Sequence, residues 1–350
     1  MNPSENHGIV DTVAFGGNGV VRESGKVVFV PFVLPGESVS YEIVRSKKSH
    51  AFARLREVLV PSFARVDPPC AYYERCGGCQ LQHAAYSEQL RIKQRFVEDA
   101  LQRIAQIECQ VKPIIGTDRI WNYRNRMRWH YRGKEKGLIG VDGRTFVPIR
   151  SCAIDSGKAS EVEQDVFIQA HPEQSSRLYA DILERVNQLK LSRVLDLYCG
   201  IGILTQKLAQ SGHAVTALEL NSKAIEIAKR QDRQSLVRWI CADVQEVLED
   251  CLRESKPEVV LVNPPRTGLT QEVVRLLAQH RPKYLFYTSC MPPTLARDLK
   301  DLLDAGYRID SCQPYDLFPQ TTHVETVVQL SANTLPSHSK QNAKIDEEHG

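Results

Sequence analysis

Ten cysteines stand in a chain of 350 residues, and three of them fall within ten positions, as Cys70-x5-Cys76-Gly77-Gly78-Cys79. Thiolates at that spacing, joined by two glycines that let the backbone fold tightly, are a metal-ligand signal. Cys152, far downstream, is the candidate fourth ligand. Four thiolates suit a structural zinc ion and an iron–sulfur cluster alike, and spacing does not separate the two. A second reactive stretch is Val194-Leu195-Asp196-Leu197-Tyr198-Cys199-Gly200-Ile201-Gly202. An apolar run there ends in C-G-x-G and leads into a helical pattern at Leu204, Leu208 and Ala209, the opening of an α/β nucleotide-binding unit. Gly200 and Gly202 let the backbone approach a ligand where a Cβ would block it. Glu219 lies near the end of the next apolar run, about 20 residues on, where an acidic side chain accepts hydrogen bonds from ribose hydroxyls. Alone, the G-x-G is equally an ordinary glycine-rich αβ turn. A third stretch, residues 119–134, interleaves arginines, Arg124 and Arg126 among them, with Trp121, Tyr123, Trp129 and Tyr131. That mixture suits phosphate contacts with base stacking on RNA. As a strand, the same aromatics would be core residues with the arginines facing water.

These residues need elements to position them. Residues 1–65 alternate in short runs with Gly/Pro turns, which predicts a small antiparallel barrel. Arg45, Lys47, Lys48, His50, Arg54 and Arg56 cluster on its last strands, as an RNA-binding face or as a charged edge that discourages strand pairing. Residues 66–165 form a central region holding the cysteines, with a helix from about Ser87 to Ile104 carrying Leu90, Val97, Leu101 and Ile104 on one face. Val166 to Gln169 reads as a strand or loop feeding a helix over Leu178, Ile182 and Val186. Residues 166–332 then alternate strand and helix, and 333–350 read as a disordered tail. The expected fold is α/β: a Rossmann-like domain of mixed sheet with helices on both faces, preceded by an OB-like barrel and a short central α+β region. Composition is that of a soluble protein, 42% hydrophobic and 25% charged, and a net charge of +3 is too small to argue for nucleic acid. No apolar run is long enough for a membrane span or a secretory leader. The scattered cysteines do not look like a disulfide framework, so a reducing, cytoplasmic compartment is expected, with no membrane and no obligate protein partner.

Four motifs, L-D-L-Y-C-G-I-G, N-P-P-R-T-G-L, Y-T-S-C-M-P-P-T-L-A-R-D and D-L-F-P-Q-T-T-H-V-E, span residues 195–325. Together they resemble the uridine-C5 RNA methyltransferases that use S-adenosylmethionine, specifically the branch with an N-terminal TRAM barrel and a [4Fe–4S] cluster that acts on 23S ribosomal RNA. The resemblance runs from about Asp11 to Leu330. It implies that Cys70, Cys76, Cys79 and Cys152 hold the cluster rather than zinc. It implies further that Gln169, Tyr198, Glu219 and Asn263 touch the methyl donor, with Asp243 facing its adenine. Cys290 is then the nucleophile, Glu325 the base, and Arg266 a contact to the target base or a phosphate. Two departures stand out. The family usually has Asp where this chain has Asn263, which can accept a hydrogen bond but carries no charge. Only residues 153–168 lie between Cys152 and Gln169, where relatives carry a much longer piece.

The chemistry explains the residue types. C5 of uracil is too weak a nucleophile to take a methyl group from a sulfonium directly. A thiolate adding at C6 makes an enolate with negative charge at C5, and a base must later remove the C5 proton. A free thiol has a pKa of about 8.5, and the helix expected at Pro292-Pro293 favours its anion. His323 is a rival to Glu325 as base. Competing readings are a transfer RNA uridine-C5 enzyme, an exocyclic-amine methyltransferase using N-P-P, and a non-catalytic RNA-binding protein that keeps the scaffold. The second needs an aromatic residue where this chain has Arg266.

Overall fold

The computed structural model describes residues 6–23, 25–157 and 165–333. The expected tail, apart from Asn333, lies outside the described residues, as does part of the short connection before Gln169.

Five strands, β1 (Asn6–Val13), β2 (Asn18–Glu23), β3 (Lys26–Pro31), β4 (Ser38–Ser46) and β5 (His50–Val60), close into the expected barrel in the order β1-β2-β3-β5-β4. Alternate residues turn inward, so Val10, Val28, Val30, Val39, Tyr41, Ala51 and Ala53 fill it. One pair, β3 with β5, is parallel. The barrel does not stand apart. Val13 and Leu34 pack with Leu81, Ala84, Ile92 and Phe96 of the central region, and Arg65 donates to both oxygens of the buried Glu37 carboxylate at 2.6 and 2.7 Å.

The central region contains α1 (Tyr86–Ala100), which ends in a π-helical turn at Leu101–Ala105. The widened turn rotates the buried face by a residue: Ala105 reaches the core, whereas Ile104, expected there, is 49% exposed. Arginines and aromatics of residues 121–129 do not form the expected strand. Asn122 has φ +49°, which breaks extension, and only β6 (His130–Arg132) pairs, with β7 (Glu135–Ile139) and then β8 (Phe146–Pro148). Tyr123 is buried; Tyr131, also expected inside in that reading, is 68% exposed.

From α2 (Pro172–Gln188) onward the chain is a Rossmann-like α/β fold. Its strands are β9 (Arg193–Leu197), β10 (Ala214–Glu219), β11 (Val237–Cys241), β12 (Val259–Val262), β13 (Tyr284–Ser289), β14 (Tyr307–Tyr315) and β15 (Glu325–Ala332). They lie in the order β11-β10-β9-β12-β13-β15-β14, and β15 runs antiparallel to both neighbours. Helices α5 (Val244–Ser255), α6 (Gln271–His280) and α7 (Pro292–Asp304) cover one face. The other is covered by α2 and α3 (Ile203–Gln210), and α4 (Ser222–Gln231) follows β10. With both faces covered, central strands read as continuous apolar runs, and all four residues of β12 are buried. The end of α1 shares the first of these cores, so this part of the central region packs on this sheet. Val166–Gln169 is loop rather than strand.

Candidate active site and cysteine cavity

The turn after β9 carries three left-handed residues, Tyr198, Gly200 and Gly202, at φ +61°, +57° and +71°. Tyr198 holds that conformation despite its Cβ, a local strain of the kind found at ligand sites. At Gly202 a Cβ would lie 2.3 Å from the Trp239 ring. Gly200 N donates to Glu219 Oε2 at 3.0 Å and Asn221 N to Oε1 at 2.9 Å. Each carboxylate oxygen keeps a further lone pair for a ligand hydroxyl. A cavity of about 60 Å³ opens beside this turn, lined by Gln169, Tyr198 and Asn263 among others. Gln169 Oε1 is buried with no hydrogen-bond partner among the described residues. Asp243 caps α5, accepting from Gln245 N at 2.9 Å.

Sequence reasoning missed two lining side chains, Tyr179 and Asp196. Burial pushes the Asp196 carboxyl up to about 7, against a hydrogen bond from Thr205 Oγ1 at 2.5 Å. Asp196 stood in the L-D-L-Y motif and was within reach. Tyr179 comes from α2, whose sequence signals only an amphipathic helix.

Sheet register brings Cys290 and Glu325 to one end of the sheet. Ser289 of β13 lies opposite Thr326 of β15, so the next residues along these antiparallel strands, Cys290 and Glu325, lie beyond the carboxyl end of β13, close enough for the Glu325 charge to act on the thiol. Helix α7 begins two residues later with prolines at its first positions, where their missing N–H groups cost nothing. The helix start expected to favour the thiol's anion is present, but other effects dominate. Burial foremost, then the charge of Glu325, pushes Cys290 up to about 11, and Arg266 only partly opposes them. Burial likewise pushes Glu325, 2% exposed, up to about 8, again with Arg266 opposing.

Arg266 Nη2 lies 3.2 Å from His323 Nε2. A guanidinium has only donors, so the imidazole nitrogen accepts and the ring is neutral. Burial and then Arg266 bring His323 down to about 4, a poor base with its Nε2 lone pair engaged. Arg124 donates Nε to Arg126 O at 3.0 Å, and Arg126 donates to Val166 O. Each thus directs an N–H to main chain, Arg126 to the loop that carries Gln169.

Cys70, Cys76, Cys79 and Cys152 line one cavity of about 190 Å³, with Arg124 on its wall. Burial pushes the Cys79 thiol up to about 12, Gln82 pulls it down, and the neighbouring thiols Cys152, Cys76 and Cys70 raise it further. Cys76 and Cys152 are raised too, burial leading in both. Such thiols ionise when a cationic centre supplies the countercharge. Among the described residues, no three His, Cys, Asp or Glu side chains form a group fit for a single metal ion.

The chain is similar to known proteins in sequence and in fold. Residues 244–333 match the tRNA (uracil-5-)-methyltransferase family, and residues 161–286 match the methyltransferase small domain. An RNA methyltransferase of Protochlamydia amoebophila is 32% identical, over 92% of this chain and 96% of that one. Another, of Bdellovibrio bacteriovorus, is 30% identical over 93% and 94%. Among solved structures, the tRNA (uracil-54, C5)-methyltransferase of Pyrococcus abyssi, in complex with S-adenosyl-L-homocysteine, superposes with a TM-score of 0.68. It is 23% identical, and the match covers 93% of this chain and all of that one, a likeness of fold.

Proposed function

This chain belongs to the RNA methyltransferases, and from that premise, with residues 244–333 matching the tRNA (uracil-5-)-methyltransferase family, we propose that it methylates C5 of a uridine in 23S ribosomal RNA through a covalent adduct on Cys290. The observation that carries the reading is the placement of Cys290 and Glu325 by β13 and β15, at the end of the sheet where the donor cavity opens.

In the proposed sequence, Cys290 gives its proton to solvent water and the thiolate sulfur adds to C6, which moves the C5–C6 electron pair into an enolate. C5 displaces the methyl group from the donor sulfonium, leaving S-adenosylhomocysteine. Glu325 then takes the C5 proton, and the electron pair of that C–H bond re-forms C5=C6 as the C6–S bond breaks. A carboxylate of pKa about 8 is a stronger base than an exposed one, closer to what this step needs. Arg266, opposing the raised pKa of both groups, favours their ionised forms. Gln169, Tyr198, Glu219 and Asn263 hold the donor, with Asp243 beside its adenine. The donor supplies the methyl cation equivalent. Asn263 offers its amide where relatives place a carboxylate. The target base must be unpaired or flipped, and the TRAM barrel with Arg124 and Arg126 binds the RNA around it. Cys70, Cys76, Cys79 and Cys152 hold a [4Fe–4S] cluster in a structural role, and the protein is cytoplasmic.

Nucleoside mass spectrometry of separated ribosomal and transfer RNA from a strain lacking the gene tests the substrate. Loss of 5-methyluridine from 23S RNA is expected. Loss from transfer RNA alone would reassign the substrate, and no loss from either would overturn the reading. For the mechanism, Cys290→Ala should abolish methyl transfer while leaving RNA affinity intact. Glu325→Gln should accumulate a denaturation-resistant RNA–protein adduct; an active Cys290→Ala enzyme would dismiss the nucleophile. Purified anaerobically, the protein should contain iron and sulfide, and stoichiometric zinc instead would remove the cluster.

A further inference from the structure

The segment that leads into Glu325 takes its shape from outside the methyltransferase sheet. Lys93 of α1, fully buried, donates to Asp316 Oδ1 at 2.6 Å and to Phe318 O at 2.9 Å. One turn earlier, Gln89 donates Nε2 to Gln320 Oε1 at 3.0 Å and accepts from Gln320 N at 2.9 Å. Tyr123 OH donates to Pro319 O at 2.9 Å. Gln80 N and Leu81 N, directly after Cys79, both donate to Gln320 O at 3.0 Å. Gln320 itself is left-handed, at φ +71°. Residues 316–320 are thus gripped on side chain and backbone by partners none of which belongs to the reactive pair.

A buried ion pair is weak support for stability, because desolvating two charges offsets most of their attraction. Burial lowers the pKa of Lys93, and Asp316 restores part of it. What such a pair does well is fix one geometry, and here the geometry is that of the turn delivering His323 and Glu325. We infer that Lys93, supported by Gln89 and Tyr123, is a positioning residue for Glu325: strand pairing brings the carboxylate towards Cys290, and α1 fixes the turn from which it enters the sheet. The inference rests on the proposed role of Glu325 as proton acceptor. A misplacement of about 1 Å at such a group costs on the order of 100-fold in rate.

The test uses the full-length, metal-loaded protein and a double variant, Lys93→Met with Asp316→Asn, which leaves neither charge buried alone. Four quantities are compared with wild type: kcat and KM for RNA, S-adenosylhomocysteine affinity by calorimetry, adduct accumulation, and hydrogen exchange of the peptide covering 316–325. Expected are a kcat lower by roughly 100-fold, unchanged product affinity, faster exchange confined to that peptide, and accumulation of the covalent RNA adduct because proton removal has become slow. A lower melting temperature with kcat and exchange unchanged overturns the inference, since a merely structural pair would do only that. Should the double variant fail to fold, Gln89→Leu and Tyr123→Phe are read in the same way. If the wild type transfers no methyl group to any RNA, the proposed function fails, and the exchange comparison still decides whether α1 holds the segment.

Discussion

Arg266 acts on Cys290, Glu325 and His323 together, and in the proposed reaction it neither takes nor gives a proton. It opposes the upward push of burial on both Cys290 and Glu325 and donates to His323. Replacing it by Met should make Cys290 harder still to ionise. Iodoacetamide labelling of that thiol should slow roughly tenfold for every pH unit by which its titration moves upward; an unchanged pH–rate profile of labelling would remove Arg266 from that role. Glu325 makes a second prediction, whose sign follows from its raised pKa. Between its ordinary 4.5 and about 8 the folded state keeps a proton that the unfolded chain has released. Stability contributed by this group is therefore lost as pH rises through that window. Glu325→Gln removes the penalty. Its melting temperature should match wild type near the acid end and gain on it towards pH 8, by of order a few kcal/mol in stability. Thermal unfolding across the window checks this, and parallel curves would mean the carboxyl is not desolvated.

At the scale of elements, the donor turn depends on Gly202. Its positive φ and the 2.3 Å approach of a Cβ to Trp239 leave Ala no room. Gly202→Ala should cost roughly 1–3 kcal/mol and weaken S-adenosylhomocysteine binding, measured by calorimetry on protein that still folds. This turn was legible in the sequence because strand, glycines and helix follow one another within a dozen residues. The barrel strands were legible for the same reason, each alternation being local. That Cys290 and Glu325 share one end of the sheet was not, since it depends on β15 inserting antiparallel between β13 and β14, a placement that strand order along the chain conceals. Only the motif resemblance nominated the two residues. Lys93 and Tyr179 gave no signal, because a polar or aromatic residue on an amphipathic helix looks the same whether it faces solvent or a buried partner. The π-helical turn escaped too: periodicity at 3.6 residues cannot reveal where one extra residue is taken up.

For the molecule as a whole, the barrel and the rest of the chain share apolar surface. Removing residues 6–60 would uncover Leu81, Ile92 and Phe96 and leave Arg65 without Glu37. The truncated protein should therefore aggregate or bind a hydrophobic dye, beyond losing RNA affinity; a soluble, cooperatively unfolding fragment would make the barrel a separable module. The grip of α1 on the segment before Glu325 has another consequence. Gln89 and Gln320 are 231 positions apart, and Lys93 and Asp316 are 223. On the ribosome, α1 emerges early and waits with its lysine and glutamine unanswered until residues 316–320 have been made. Strand β15, which carries Glu325, comes last among the strands of the described residues. A nascent chain can thus complete its barrel, and later the glycine turn after β9, while Cys290 still waits for Glu325. On the proposed mechanism, competence comes only after residues 316–326 have been made.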